Sequence, residues 1–166
     1  RLARRCEVNV TAADRVEGRI IHEEHQRLRT GLAALEQTIA DAYRLSRPEL
    51  SDRVHRALEW IRRDLLPHAA WEDAWLYPQL DREAETPWAT RVLRFEHTQI
   101  NEIAVGLETD AQELRERWSM ELAFRIVARI ASLHCIVAAH VAQEERFVLP
   151  VLDAQPLVTA RPADRR

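Results

Sequence analysis

The sequence has few glycines and few cysteines, and both shortages limit the folds open to it. It contains 3 glycines in 166 residues and shows no strand-like alternation of polar and apolar residues, which favours an all-α protein. Its two cysteines, Cys6 and Cys135, lie too far apart in sequence to suggest a disulfide framework. We therefore expect a reducing, cytoplasmic environment, and we expect Cys135 to be buried and inert.

Long apolar runs and a large net charge are also missing. No stretch of about 18 uncharged apolar residues occurs, so we expect no membrane span. The net charge is -3, which gives no strong attraction to nucleic acid or to an anionic membrane. The chain is long enough for one domain with a substantial core. We expect residues 1–10 to be an N-terminal tail, 11–153 a helical bundle and 154–166 a flexible C-terminal tail.

Apolar residues recur every three or four positions in four segments, which predicts four helices. Their expected limits are Thr11 or Asp14 to Leu45, Ser46 and Pro48 to near Pro78, Thr86 and Pro87 onward, and Ser119 to near Pro150. Pro67 lies inside the second helix and should kink it just before His68. Because the connections are short, neighbouring helices should be antiparallel, as in an up-down-up-down four-helix bundle.

A four-residue pattern occurs twice in the chain with one constant offset of 72 positions. A His is followed by a second His 43 positions on, by a Glu after four more and by a Pro after six more. The equivalent pairs are His25 and His97, His68 and His140, Glu72 and Glu144, and Pro78 and Pro150. A repeat of this size suggests a duplicated helical hairpin. The repeated His and Glu are metal-ligand types, so the duplication points to function.

The six repeated His and Glu residues should meet in one layer of the bundle. At about 1.5 Å per residue, all four His lie roughly 15–20 Å from the same end. Each Glu follows its His by one helical turn and shares its face. The stripes around them are Leu, Ile, Val and Trp without Arg, so burying these groups without a partner would be costly. A cation between them removes that cost, and imidazole with carboxylate suits iron, with zinc or manganese as alternatives.

Counting metal–ligand bonds predicts two metal ions. Two six-coordinate ions need twelve bonds. The four His supply four, two Glu that bridge both ions supply four, and an oxo or hydroxo bridge supplies two. Two positions then remain open for O2, peroxide, nitric oxide or water. The count assumes that Glu72 and Glu144 both bridge the ions.

The spacing of these residues resembles the hemerythrin-like family, also called the HHE cation-binding domain. The family pattern is carried here by His25, then His68 with Glu72, then His97, then His140 with Glu144. The resemblance covers about residues 12–152. It implies a four-helix bundle with a non-haem di-iron centre, in which the two Glu bridge the irons and the His complete them. Oxygen-carrying hemerythrins typically have a fifth His where this chain has Asn101, so simple reversible O2 carriage is not expected.

Several residues near the pattern have both a functional and a structural interpretation. His22 lies one turn before His25, but the repeat pairs it with Arg94, so we expect no ligand role. Tyr77 could reach the site as a ligand or redox neighbour, but we favour packing beside Pro78. Four acidic residues next to the pattern could either orient a metal ligand or remain in solvent: Glu24, Asp73, Glu96 and Glu145. We expect exposure for His55 and structural roles for His134, Trp71 and Trp75.

Three functions remain open from the sequence. The first is a di-iron protein that binds and reacts with O2, peroxide or nitric oxide, with peroxide detoxification of the catalase or peroxidase type as its enzymatic form. The second is a sensor or storage module for iron, O2 or nitric oxide that does not turn over. The third is a structural bundle without metal. In the first two, metal loading should be coupled to folding, and a buried centre should favour small ligands.

Overall fold

The computed structural model describes residues 12–154, and every regular element among them is helical. The four long helices are α1 (Ala12–Ala40), α2 (residues 47–83), α3 (Arg91–Glu116) and α4 (residues 120–154). α2 contains the π-helical turns Ile61–Leu65 and Glu72–Leu76, and α4 contains the π-helical turn Glu144–Val148. The all-α expectation is confirmed. The expected tails lie outside the described residues, apart from Ala154 at the end of α4.

Neighbouring helices run antiparallel, as the residue pairs between them show. Between α1 and α2, Glu24 contacts His68 near one end, and Asp41 pairs with Arg53 near the other. The pairs Arg62–Glu108 and Asp73–Arg94 show the same antiparallel arrangement for α2 and α3. The pairs Asp110–Arg125 and Glu96–His140 show it for α3 and α4. Because α1 also packs against α4, the helices close an up-down-up-down four-helix bundle.

Two apolar clusters fill the bundle on either side of a buried polar layer. The larger is built from Leu, Ile, Val and Ala side chains of all four helices. The smaller consists of Ile21, Leu76, Tyr77, Leu80, Leu93, Val148 and Leu149. α1 and α2 approach closely beside the larger cluster, where a Cβ atom on Gly31 would lie 2.0 Å from Trp60 Cε2. Only glycine fits at that crossing.

The first connection begins earlier than the sequence indicates. α1 ends at Ala40 instead of Leu45, because residues 41–44 tighten into a turn with hydrogen bonds three residues apart. The expected starts of α2 and α4 are confirmed. Glu49 accepts a 2.8 Å hydrogen bond from the Ser46 backbone N–H, and the Ser119 hydroxyl accepts one from the N–H three residues on.

The start of α3 differs from expectation by several residues. The helix begins at Arg91 instead of at Thr86 and Pro87. The carboxylate of Asp81 accepts hydrogen bonds of 3.1 and 3.0 Å from the backbone N–H and the hydroxyl of Thr90. These bonds tie the end of the connection back to α2, so residues 84–90 remain turns.

A proline follows closely after each of the three π-helical turns. Pro67, Pro78 and Pro150 each occupy the second position of the α-helical segment after the turn. Proline lacks an N–H and clashes with the carbonyl four residues back, and a widened turn accommodates both defects. The helices therefore continue past Pro78 and Pro150 instead of ending there. The distortion expected before His68 takes the form of a π-helical turn.

The fourth helix is long and rich in apolar residues. Over Met120–Val148 it is long and apolar enough to cross a membrane by length and composition alone, although the sequence analysis expected no span. In this structure the helix packs against α1 and α3 and buries His140 and Glu144 in the interior. Its apolar composition arises because apolar residues fill most of its buried face and much of its exposed face.

Candidate metal centre

Six side chains from the four helices meet in the buried polar layer. They are His25 of α1, His68 and Glu72 of α2, His97 of α3, and His140 and Glu144 of α4, none more than 6 % exposed. Their ligand-type atoms form two groups, each within 4.8 Å: His25, His68, Glu72 and Glu144 in the first, and Glu72, His97 and His140 in the second. Glu72 belongs to both. The structure thus brings together all six residues that the 72-residue offset selects.

The first group directs four buried polar atoms at one another without hydrogen bonds. These atoms are His25 Nε2, His68 Nε2, Glu72 Oε1 and Glu144 Oε2. His68 Nε2 lies 3.1 Å from Glu72 Oε1, and His25 Nε2 lies 3.3 Å from Glu144 Oε2. Both pairs are close enough for an ion pair, but their atoms are poorly aligned for a hydrogen bond. A cation with bonds of about 2.0–2.2 Å fits between donors spaced about 3–4 Å apart. Because unpartnered buried polar atoms are costly, this donor set fits a metal ion.

Each His is oriented by a carboxylate from a neighbouring helix. The contacts to ring Nδ1 are His68 with Glu24 at 3.1 Å, His140 with Glu96 at 2.9 Å, His97 with Asp73 at 3.1 Å and His25 with Glu145 at 3.3 Å. A carboxylate only accepts hydrogen bonds, so Nδ1 carries a proton and Nε2 is the nitrogen left facing inward, where it can bind a cation once it has no proton. The contact at His97 is close but poorly aligned. Of the two interpretations of these four acids, the structure supports the orienting one.

The two Glu residues are equivalent in the repeat but not in the structure. Glu72 places Oε1 3.1 Å from His68 Nε2 and Oε2 3.3 Å from His97 Nε2, so its oxygens face the two groups. Glu144 directs Oε2 inward, while its Oε1 accepts a 2.6 Å hydrogen bond from the hydroxyl of Tyr77. The same hydroxyl lies 3.4 Å from Glu72. Tyr77 packs in the smaller apolar cluster as expected, and its hydroxyl in addition joins both carboxylates.

The surplus of carboxylates changes the protonation of the His side chains. Burial alone would lower the pKa of His68, but Glu72, Glu24 and Glu144 outweigh burial and raise that pKa to about 10. Burial opposes the charged form of His140 as well, and Glu72 and Glu144 again outweigh it, raising its pKa to about 9. Without a cation both imidazoles are therefore protonated at neutral pH. A metal ion has to displace these protons when it binds.

The acidic groups of the layer shift in the opposite sense. Burial would raise the pKa of Glu72, but His68 and His140 outweigh burial and hold that pKa well below its ordinary value. The pKa of the Tyr77 hydroxyl is raised, first by burial and then by the charges of Glu72 and Glu144. Glu72 is therefore ionised, and Tyr77 keeps its proton and acts as a hydrogen-bond donor.

The chain matches the model of the hemerythrin HHE cation binding domain over residues 18–152. It belongs to that family. No curated protein and no solved structure is significantly similar to it. The resemblance drawn from six residues is confirmed, and the buried His and Glu groups could hold the cation that defines the family.

The hemerythrin HHE domain of this chain is asymmetric at the position next to His97. Asn101, where oxygen-carrying hemerythrins typically have a His, is exposed and lies off the interior face. Ile100 and Ala104 occupy that face and supply no donor atom. The second group consequently has three protein donors where the first has four, if Glu72 is counted in both. An ion held by the second group would therefore have one protein ligand fewer than an ion held by the first.

The residues after the candidate Glu ligands lie in a shifted helical register. Regular spacing predicts interior positions for Trp75, Leu76 and Phe147, but only Leu76 is buried. The π-helical turns add one residue before each interior position, so Leu76 and Val148 face the interior, and Trp75 and Phe147 do not. The expectation for Cys135 is also wrong, because its side chain is exposed on α4.

The remaining His residues lie away from the two groups. His22 is exposed, in agreement with the expectation that it is not a ligand. His55 is exposed as expected and lies 3.3 Å from Glu59 on the surface of α2. His134 is half-buried on α4, and Trp71 packs against the smaller apolar cluster.

Replacing Tyr77 by phenylalanine tests its hydrogen bond to Glu144. In the metal-free protein we expect the free energy of unfolding to fall by about 1–3 kcal/mol, because Glu144 Oε1 loses its donor while it stays buried. Urea unfolding followed by tryptophan fluorescence measures the change. The matched control is Tyr43→Phe, at a fully exposed tyrosine, which should change stability by less than about 0.5 kcal/mol. Equal effects of the two replacements would contradict the role given to Tyr77.

Proposed function

We propose that this domain holds two metal ions, with iron as the physiological metal. The proposed ligands are His25, His68, Glu72, His97, His140 and Glu144. These residues divide into two groups that share Glu72, and this division supports the proposal. We assign one ion to each group. Mixed imidazole and carboxylate donors suit iron, and they also accept zinc or manganese.

We further propose that the di-iron centre reacts with O2, peroxide or nitric oxide, and that peroxide breakdown is its activity. A bound pair of irons supplies electrons and Lewis acidity. The observation that carries this proposal is the missing fourth donor in the second group, where Ile100 and Ala104 replace any ligand. A structural site is normally closed by protein ligands, whereas a reactive one keeps an open position.

The surroundings of the site favour small reactants. A cleft of about 60 Å³ reaches His68 from the surface, and it is lined by Glu24, Arg27, Arg63, Asp64, Pro67 and His68. This volume admits water, a diatomic gas or peroxide, but no larger organic substrate. The two apolar clusters exclude bulk water above and below the layer. Tyr77 holds one oxygen of Glu144 in place, so that Oε2 remains directed at the His side chains.

The metal content and the spectrum of the protein test the proposal. Protein purified from iron-supplemented cells should carry about two irons per chain, with near-ultraviolet and visible absorption bands that change when peroxide is added. It should then decompose many equivalents of peroxide without losing iron, while chelator-treated protein should not. One zinc per chain, or no metal, would contradict the two-ion centre. Two irons without turnover, with a change of stability or shape on adding O2 or nitric oxide, would favour the sensor or storage alternative.

A further inference from the structure

The outward face of α4 is uncharged along most of its length. The exposed positions between Leu122 and Glu145 are Phe124, Ala128, Ser132, Cys135, Ala139 and Ala142. They recur every three or four residues, so they form one stripe about 27 Å long. Surface helices normally carry charges on this face, as α2 does with Asp52, Arg56 and Glu59. The α4 stripe differs from that norm and resembles a helix face that packs against another helix.

Bulky apolar side chains lie at both ends of the α4 stripe. At its start, Met120 is 77 % and Phe124 is 76 % exposed. At its far end, Phe147 is 63 % exposed, and Val92 and Phe95 of the adjacent α3 are 61 % and 60 % exposed. A cavity of about 480 Å³ opens there, with walls that include Leu80, Val92, Leu93, Gln143, Phe147 and Val148. A side chain the size of phenylalanine fits into this volume.

We propose that the α4 stripe is the interface of a symmetric dimer, in which the α4 helices of two copies lie antiparallel. A twofold axis between residues 133 and 134 makes the stripe complementary to itself. Ala128 then faces the partner's Ala139, and Ser132 faces the partner's Cys135. Small residues at the centre allow the two helix axes to approach to about 8 Å.

The ends of the stripe match each other under the same symmetry. Phe124 reaches the cavity beside the partner's Gln143, and Met120 meets the partner's Phe147. Exposed Glu121 lies opposite the partner's exposed Arg146, so each end gains an ion pair of opposite charges. A parallel arrangement would instead oppose Glu121 to its own copy and leave the cavities empty. Shape and charge therefore both select the antiparallel arrangement.

The area of the stripe is large enough for a stable dimer. The five bulky side chains at its two ends, of which Val92 and Phe95 belong to α3, are each more than half exposed, and each contributes on the order of 100 Å² of apolar surface. Together with the small residues they give roughly 800 Å² per chain, the size of a standard specific interface. A lipid surface is a poorer occupant, because membrane-binding helices carry several basic residues free to meet lipid headgroups, whereas Arg125 and Arg129 beside this stripe are both paired with Asp110.

A charge exchange at the two central alanines tests the arrangement. We expect the native chain to have twice its single-chain mass of 19.3 kDa at concentrations of tens of micromolar, by sedimentation or light scattering. Ala128→Glu alone and Ala139→Arg alone should each yield monomers, because each buries unpaired charges at the interface. The double variant should restore the dimer, since the glutamate introduced into one copy would face the arginine introduced into the other. A parallel or unrelated interface would not be restored.

The exposed Cys135 offers a second test that does not depend on the charge exchange. In the proposed dimer the two Cys135 Cα atoms lie roughly 5–6 Å apart, within the range of a disulfide. In a Cys6→Ser background, diamide should take up the two thiol hydrogens and leave a covalent dimer of unchanged helix content. The control is Glu59→Cys combined with Cys6→Ser and Cys135→Ser, which places one thiol on the exposed surface of α2. That variant should remain a single chain under the same treatment.

Three results would overturn the proposal. The first is a monomeric native chain at about 100 μM, well above the dissociation constant of a standard interface. The second is a dimer that both single charge variants leave intact. The third is a native monomer that floats with phosphatidylcholine–phosphatidylserine vesicles and loses this binding in Phe124→Glu, which would assign the stripe to lipid. None of these measurements involves the metal centre, so they test the dimer independently of the proposed function.

Discussion

Replacing Glu72 by glutamine should remove both of the proposed metal ions. Glu72 is the residue shared by the two ligand groups, with one oxygen 3.1 Å from His68 Nε2 and the other 3.3 Å from His97 Nε2. A neutral amide cancels less of the charge of a cation, and its NH2 donor has to point at one of the two groups. We expect elemental analysis to show a fall from about two ions per chain to well under one.

Two further variants show how large the effect of Glu72→Gln on metal content is. His97→Ala alters the second group alone and should lower the metal content by about one ion per chain. Glu36→Gln, at an exposed position of α1, should leave the content unchanged. Circular dichroism of the metal-free proteins shows whether the bundle still forms. If Glu72→Gln keeps two ions, or loses only one, Glu72 does not serve both groups.

The six candidate ligands and the bundle could be predicted because their signals are local or periodic. Apolar residues at helical spacing mark four interior faces, and the four His lie at equal distances from helix ends. The 72-residue offset then separates His68 and His140 from the unrepeated His22 and His55. Neither signal depends on how the helices twist or pack. The helix ends at Ala40 and Arg91 differ from the expected ones because tertiary hydrogen bonds and turn geometry set them.

The contacts of the Tyr77 hydroxyl with the two Glu are not predictable from regular helical spacing, because they depend on a π-helical turn. In a regular helix the residue five positions after Glu72 points roughly 140° away from it. In a π-helical turn the fifth residue comes back to the same face, so the Tyr77 hydroxyl reaches the carboxylates. The signal was present in the sequence, since Pro78 and Pro150 each follow a candidate Glu by six residues. A proline inside an apolar helical pattern can therefore mark a widened turn instead of a helix end.

The four orienting carboxylates show a different limit of the sequence. Each is adjacent to a candidate ligand on its own helix, so it points sideways and not into the interior. Whether such a side chain contacts water or a neighbouring His depends on which helix lies beside it. It also depends on which residues of that helix lie at the same level along the bundle axis. The antiparallel bundle places Glu24 against His68 and Glu96 against His140. Exposure of Cys135 has the same origin, because position around the helix decides it and closeness to His140 in sequence does not.

The stability of the metal-free protein should be greatest between about pH 4.5 and 6.5 and should fall on either side. His68 and His140 have pKa values raised to about 10 and about 9, so their contribution is complete below their ordinary pKa and is lost as the pH rises through 9 and 10. The pKa of Glu72 is lowered, so its contribution is present above its ordinary pKa and is lost as the pH falls. We expect the free energy of unfolding to drop by several kcal/mol between pH 6 and pH 9.5, because both imidazoles lose a stabilising proton over that range.

Urea unfolding of chelator-treated protein at several pH values measures this dependence. His68→Gln should flatten the alkaline side of the profile, because it removes the imidazole whose pKa is raised further. His55→Gln, at an exposed His, should leave the profile unchanged. A stability that is flat or rising from pH 6 to 9.5 would mean that the two buried imidazoles are already neutral. In that case metal binding would release no protons, whereas protonated His68 and His140 require metal affinity to increase with pH over the same range.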